Sequence, residues 1–278
     1  MRERLVVREF LKGKKTYIMG ILNVTPDSFS DGGKHHRLSN AIDHTAQMIK
    51  DGADIIDIGG ESTRPGAEPV SLEEELERVL PILEELTVRF DVPFSIDTYK
   101  AEVARQALEK GAQIINDVWG AKKDPEMAKL AARTGAPIIL MHNRQDRNYT
   151  NLMADIINDL QESIDLVLQA GGSEEQIILD PGIGIGFAKT YEHNLAVMRQ
   201  LEQLVQLGYP VLLGTSRKSM IGKTLDLPPE ERLEGTIATI CLGIMKGCKI
   251  LRVHDVKEVA RAAKMMDAML YEEASIGG

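Results

Sequence analysis

A chain of 278 residues is long enough to bury a full core, and one barrel domain of this length is ordinary. Its 33 Lys and Arg stand against 42 Asp and Glu, for a formal charge of −9. That acidic balance argues against a nucleic-acid surface, which shows a basic stripe, so an anion is expected only where the few cations converge.

The N-terminal "MRERLVVREF" has no signal-peptide apolar run, and no stretch reaches the roughly 18 apolar residues of a membrane span. A soluble cytoplasmic protein is expected, with no membrane and no nucleic acid among its partners. From residue 17 onward, short apolar runs alternate with helical patterns. The first strand candidate, "YIMGILNV" (17–24), delivers the chain into the Pro-, Ser- and Gly-bearing "NVTPDSFSDGG". "DIIDIGG" (54–60) does the same into "ESTRPGAEP". "SLEEELERVLPILEELTVRF" (71–90) then opens with a Ser N-cap and first-turn glutamates, and Leu72, Leu76, Val79, Leu80 and Leu83 share one helical face. "PFSIDT" (93–98), "QIINDV" (113–118), "PIILMH" (137–142), "IILDPG" (177–182), "PVLLGTS" (210–216) and "ILRVHDV" (250–256) complete eight strand candidates. Most are near-continuous apolar runs, as strands buried on both faces require. Cys241 and Cys248 lie in an apolar stretch that reads as helical, with no metal-ligand spacing around them, and read as reduced core thiols.

Eight β-then-α units predict the α/β class and a (β/α)8 TIM barrel, with a doubly wound open sheet of fewer strands as the runner-up. A single domain over 1–278 is expected: a short N-terminal extension (1–16) forming a hairpin cap over the barrel bottom, the barrel (17–270) and a tail (271–278).

In such a barrel, catalytic residues sit where strands end and βα loops begin. Those ends carry Asn23, Glu61 to Arg64, Asp97, Asn116 with Asp117, Met141 with His142, Asp180, Ser216 to Ser219, and Arg252 with His254 and Asp255. A single polar strand end is commonly a helix cap, and Asp97 precedes the helical "KAEVARQALEK". All eight together point to a functional rim. Asp97, Asn116 and Asp180 follow apolar residues, and a carboxylate beside a dry barrel top needs donors. A flat ring with adjacent ring N–H and amino groups supplies two parallel donors, and Asn matches the remaining edge. The set reads as a slot for an amino-oxo-pyrimidine ring. Arg64, Lys218, Arg252 and His254 form a cationic set at the phosphate end of a barrel, where "GTSRKSM" also enters a helix. Asn23 offers an oxygen to Mg²⁺, which commonly binds diphosphate with few protein ligands. No Ser-His-Asp spacing, reactive-Cys setting or zinc cluster accompanies them.

Over essentially its whole length the sequence resembles the dihydropteroate synthases of folate biosynthesis, in a Bacillus-like bacterial form. "NVTPDSFSDGG", "GGESTRPG", "SIDT", "INDVWG", "LDPGIG", "GTSRKS" and "RVHD" match that family's blocks in order. The resemblance implies condensation of 6-hydroxymethyl-7,8-dihydropterin diphosphate with p-aminobenzoate, releasing diphosphate. It implies that Asp97, Asn116, Met141, Asp180 and Lys218 hold the pterin. Asn23, Thr63, Arg252 and His254 surround the diphosphate, with Asn23 on Mg²⁺. Thr63, Arg64, Pro65, Phe187, Lys218 and Ser219 form the p-aminobenzoate site, which sulfonamides share. Asp97, Lys218 and Arg252 are the expected catalytic residues, and a homodimer on the helices around 230–270 is expected.

The family mechanism is dissociative: diphosphate departs first, and the pterin carries the positive charge beside Asp97. The two Gly-, Pro- and Ser-bearing loops after the first two strands read as a lid that keeps water from that cation. Three other readings remain at this stage. They are a pterin-dependent corrinoid methyltransferase barrel, an aldolase forming a Schiff base on Lys218, and a pterin-binding regulatory barrel without catalysis. One departure from the family stands out. Its block reads Asp-Pro-Gly-x-Gly-Phe-x-Lys, whereas this chain has "DPGIGIGFAK" from Asp180 to Lys189, with one extra Ile-Gly pair before Phe187. The pair is read either as a tolerated loop insertion or as a perturbation of the arylamine site alone.

Overall fold

The computed structural model describes residues 13–25, 34–61, 68–184, 186 and 188–271, with residues 34–36 described by their helical backbone alone. Its elements run β1 (Tyr17–Asn23), α1 (Lys34–Lys50), β2 (Ile55–Gly59), α2 (Leu72–Arg89), β3 (Phe94–Asp97) and α3 (Ala101–Glu109). β4 (Ile114–Asp117), α4 (Pro125–Thr134), β5 (Ile138–Met141), α5 (Leu152–Gln169), β6 (Ile177–Asp180), α6 (Tyr191–Arg199) and α7 (Leu201–Val205) follow. β7 (Leu212–Leu213), α8 (Ser219–Leu225), α9 (Leu233–Met245), β8 (Ile250–Val253) and α10 (Val256–Tyr271) end the series.

The strands form one parallel sheet in the order β6-β5-β4-β3-β2-β1-β8-β7. A parallel bridge from Leu179 to Val211, with Leu179 N donating to Pro210 O at 2.9 Å, brings β7 against β6 and turns the sheet into a barrel. The open doubly wound sheet is thereby excluded. Every expected strand is present, shortened at its polar end. β7 shrinks most, to two residues. Beyond Gly214 the chain leaves the ladder and folds into a turn in which Thr215 O accepts Lys218 N.

α2 starts where its cap predicts: Ser71 Oγ accepts Glu74 N at 3.1 Å. Val79, Leu83 and Leu86 are fully buried on its inner face, with Leu72, Leu76 and Leu80 partly buried against the same core. Cys241 is half-buried on α9, whereas Cys248 is buried in the connection after that helix; both are free thiols. Residues 1–12 of the expected hairpin cap and 272–278 of the tail lie outside the described residues. Thr16 fastens the start of β1 to α10, giving its N–H and its hydroxyl to Asp267, each at 2.7 Å.

The core has two parts. Residues facing outward from the strands, such as Ile56, Phe94 and Ile96, pack under the helices. Deleting a side chain such as Phe94 from that layer is expected to cost about 3–5 kcal/mol. Inside the barrel, Met19, Ile55, Ile114, Ile139, Ile178, Leu212 and Ile250 form a separate apolar plug. That plug is the floor on which the site stands.

Candidate active site

Successive side chains of a strand point to opposite faces, so residues two beyond the plug also face inward. Those residues are Ile21, Asp57, Asn116, Met141, Asp180, Gly214 and Arg252, most of them polar. Asp97 joins them as the register partner of both Gly59 and Asn116. An apolar layer below and a polar layer above thus follow from one alternation.

The polar layer is centred on Arg252. Its Nε donates to Asp57 Oδ2 at 2.6 Å and its Nη2 to Asp97 Oδ2 at 2.7 Å, while Asn116 Nδ2 donates to Asp57 Oδ2 at 3.0 Å. Asp57 Oδ1 and Asp97 Oδ1 are buried and have no hydrogen-bond partner among the described residues. Two buried carboxylate oxygens in this state are open acceptors for N–H donors. Removal from water pushes Asp97 up to about 7, with Arg252 pulling against the rise and Asp57 adding to it. Asp97 is no helix cap: Ala101 N, at the start of α3, donates instead to Asp124 Oδ2 at 2.8 Å. Its neighbour in the layer also separates cleanly from the next residue. Asn116 faces inward, whereas Asp117 faces away and accepts from Trp119 N and Ala121 N, both at 2.8 Å, in a local turn.

Across the barrel, Asp180 Oδ1 accepts Gly182 N at 2.7 Å. Gly182 has φ +65°, and a Cβ there would stand 2.1 Å from His142 O, so this turn needs glycine. Lys218 reaches over to donate to Ile183 O. Burial raises the Asp180 carboxyl and lowers the Lys218 amine to about 8, each charge partly restoring the other. Behind Asp180 lies a second group. Fully buried Lys189 places Nζ 2.6 Å from His142 Nδ1, and His142 Nε2 lies 2.9 Å from Asp159 Oδ2 on α5. Burial is the largest cause in both cases, bringing Lys189 down to about 7 and His142 to about 4.

The structure therefore brings Asp97, Asn116, Met141, Asp180, Lys218 and Arg252 to one rim, as the strand ends predict. Asn23 ends β1 half-buried, His254 directly follows β8, and Ser219 opens α8. Thr63, Arg64, Pro65 and Phe187 lie outside the described residues. Arg252 differs from its expectation as a plain anion ligand, because two of its nitrogens hold Asp57 and Asp97. Two carboxylates with the same inward phase draw the guanidinium between them.

The strand-end reading passes over Asp57, which stands within its strand, although a lone carboxylate inside an apolar run at inward phase is a signal. It passes over Lys189 for a better reason, since a lysine after a loop is ordinarily solvated. Among the described residues, no group of three or more His, Cys, Asp and Glu side chains is placed to hold a metal ion. The amide oxygen of Asn23 fits Mg²⁺ as a single hard donor, leaving most of the ion's coordination to water and phosphate oxygens.

Fold and rim together define a (β/α)8 barrel that presents acceptors to a flat, donor-rich ring. The family profile described as "Pterin binding enzyme" matches residues 19–254. The chain belongs to that family and, within it, to the dihydropteroate synthases. Dihydropteroate synthase of Bacillus subtilis (strain 168) is 64% identical over 257 residues, covering 92% of this chain and 90% of that protein. The crystal structure of dihydropteroate synthase from Clostridium difficile in the presence of pteroic acid superposes with TM-score 0.91 at 52% identity, covering 94% of this chain and 98% of that one. That of Yersinia pestis in complex with a sulfonamide drug gives TM-score 0.86 at 44% identity, covering 92% and 94%.

Proposed function

We infer that this chain condenses 6-hydroxymethyl-7,8-dihydropterin diphosphate with p-aminobenzoate, giving 7,8-dihydropteroate and diphosphate for folate biosynthesis. The observation that carries the reading is the pair of buried oxygens of Asp57 and Asp97, unpartnered among the described residues and beside Asn116, in a chain of this family. Asp97, Asn116 and Asp180 take the ring's hydrogen-bonding edges, Met141 lies against its face, and Lys218 takes its oxygen and nitrogen edge. Asn23 would hold Mg²⁺, which would neutralise part of the diphosphate charge. Thr63, Arg252 and His254 complete that anion site, in which Arg252 keeps Asp57 and Asp97 as partners on one side. Lys218 and Ser219, with Thr63, Arg64, Pro65 and Phe187, receive p-aminobenzoate, and sulfonamides compete there.

The reaction is dissociative. The methylene C–O bond breaks and its electron pair leaves on diphosphate, where the surrounding cations stabilise it. The pterin then carries a positive charge that Asp97, as a carboxylate, stabilises. The arylamine nitrogen adds to the methylene carbon, and its proton passes to the departing anion or to water. No strong general base is needed.

The chain acts in the cytoplasm as a homodimer. Support for the dimer comes from Met245 on α9 and Met265 and Met269 on α10, large apolar side chains 66%, 59% and 59% exposed on two helices that pack together. Incubating the purified chain with pterin diphosphate, Mg²⁺ and ¹⁵N-labelled p-aminobenzoate tests the assignment by mass spectrometry. Labelled dihydropteroate is expected, and its absence refutes the reading.

A further inference from the structure

The loop after β7 is stitched to the end of β8 by Ser216, Arg217 and Asp255, which the proposed chemistry leaves without a role. Ser216 Oγ lies 3.1 Å from the backbone nitrogen of His254 and 3.0 Å from its Nδ1. The next residue, Arg217, sets Nε 2.9 Å from Asp255 Oδ2 and Nη2 on Asp255 Oδ1. Residues 216 and 217 therefore grip 254 and 255 one to one. Arg217 adopts φ 57° to do so, a left-handed conformation that a non-glycine residue keeps only where its surroundings fix it. They do: Thr236 Oγ1 accepts its N–H at 3.1 Å, and Arg232 Nη1 donates to its carbonyl at 2.9 Å.

We propose that Ser216 is a positioning residue for the anion site: its hydroxyl holds His254 in the tautomer that carries hydrogen on Nε2, making that nitrogen a donor to diphosphate. The proposal rests on the reading of His254 as a diphosphate ligand. A backbone N–H can only donate, so Ser216 Oγ accepts from the His254 amide and keeps one hydrogen of its own. Ser216 is buried, and among the described residues the acceptor for that hydrogen is His254 Nδ1. Were Nδ1 itself to carry hydrogen, the buried hydroxyl hydrogen would lose its partner. Nδ1 accepts, and the neutral ring carries its hydrogen on Nε2. The Arg217–Asp255 fork keeps the two segments at the spacing this contact needs.

The test labels the histidines of the full chain with ¹⁵N and reads the His254 ring by NMR, assigned by the signal lost in His254→Ala. Affinity for inorganic diphosphate with Mg²⁺ is measured in parallel by calorimetry. The wild type is expected to show one protonated and one bare ring nitrogen. Ser216→Ala should move the ring toward a mixture of tautomers and weaken diphosphate binding by about three- to tenfold, the worth of one ordinary hydrogen bond. Ser216→Thr, which keeps the hydroxyl, should restore both. A mixed tautomer in the wild type, or a Ser216→Ala variant with unaltered ring shifts, overturns the proposal. Wild-type diphosphate affinity in His254→Ala overturns the donor role through the reading of the anion site itself, and is distinguished by ring shifts that still respond to Ser216.

Discussion

Replacing Asp57 by Asn removes one negative charge from the centre of the rim while keeping its shape. Asp57 is fully buried, and its Oδ2 accepts from both Arg252 Nε and Asn116 Nδ2. An amide oxygen can still accept from both donors, but without the charge that strengthens the two bonds, so the loss is about 1.5–3 kcal/mol. Outright removal of a partner from a buried ion pair would cost more, about 3–5 kcal/mol. For a chain of 278 residues the loss of about 1.5–3 kcal/mol should lower the midpoint of thermal unfolding by about 3–5 °C. The pterin should also bind about tenfold more weakly, because an amide NH2 then stands where Asp57 Oδ1 offers the ring an acceptor. A third effect is electrostatic: without the Asp57 charge, Asp97 falls from about 7, and the pH midpoint of turnover moves down with it. Scanning calorimetry, pterin titration and a pH–rate profile read the three effects. A variant that unfolds at the wild-type temperature and binds pterin with wild-type affinity refutes the claim that the Asp57–Arg252–Asp97 cluster builds the slot.

Asp97→Asn should lower turnover more than pterin affinity, and the wild-type rate should rise with pH through an ionisation near 7 that the variant lacks; equal losses in both would reduce Asp97 to a binding group. Lys189, held at about 7 when folded against 10.5 otherwise, binds fewer protons folded than unfolded between those values. Stability should therefore rise with pH across that window and Lys189→Met should flatten the rise, so parallel pH–stability curves would contradict the burial of that amine. Deleting Ile185 and Gly186 should lower KM for p-aminobenzoate and Ki for a sulfonamide while sparing the pterin diphosphate, because Asp180 and Gly182 are bonded to each other ahead of the repeat. Unchanged p-aminobenzoate and sulfonamide values would leave the repeat a tolerated insertion.

The barrel was legible because eight buried parallel strands leave eight apolar runs with polar ends, and helices between them need capping residues such as Ser71. Alternation within a strand then places Asn116 inward and Asp117 outward, although both look alike as letters in "QIINDV". What the sequence hides is pairing. Nothing in "DIIDIGG" says that Asp57 meets a guanidinium from 195 positions later, or that this claims Arg252 for two carboxylates. Lys189 is hidden more deeply, since the aliphatic stem and amine of a lysine read as solvated until a buried His142 supplies the partner. The length of "PVLLGTS" likewise gives no warning that β7 is two residues long, because the ladder ends at a turn made by Thr215 and Lys218 rather than at a composition change.

The central claim, that the rim expels diphosphate from a bound pterin in favour of an arylamine, is tested most directly by measuring diphosphate release. The purified chain is supplied with pterin diphosphate and Mg²⁺, with and without p-aminobenzoate. The account predicts release that rises with p-aminobenzoate and matches dihydropteroate mole for mole. Release that ignores p-aminobenzoate, or none at all from a chain that still binds the pterin, would contradict it.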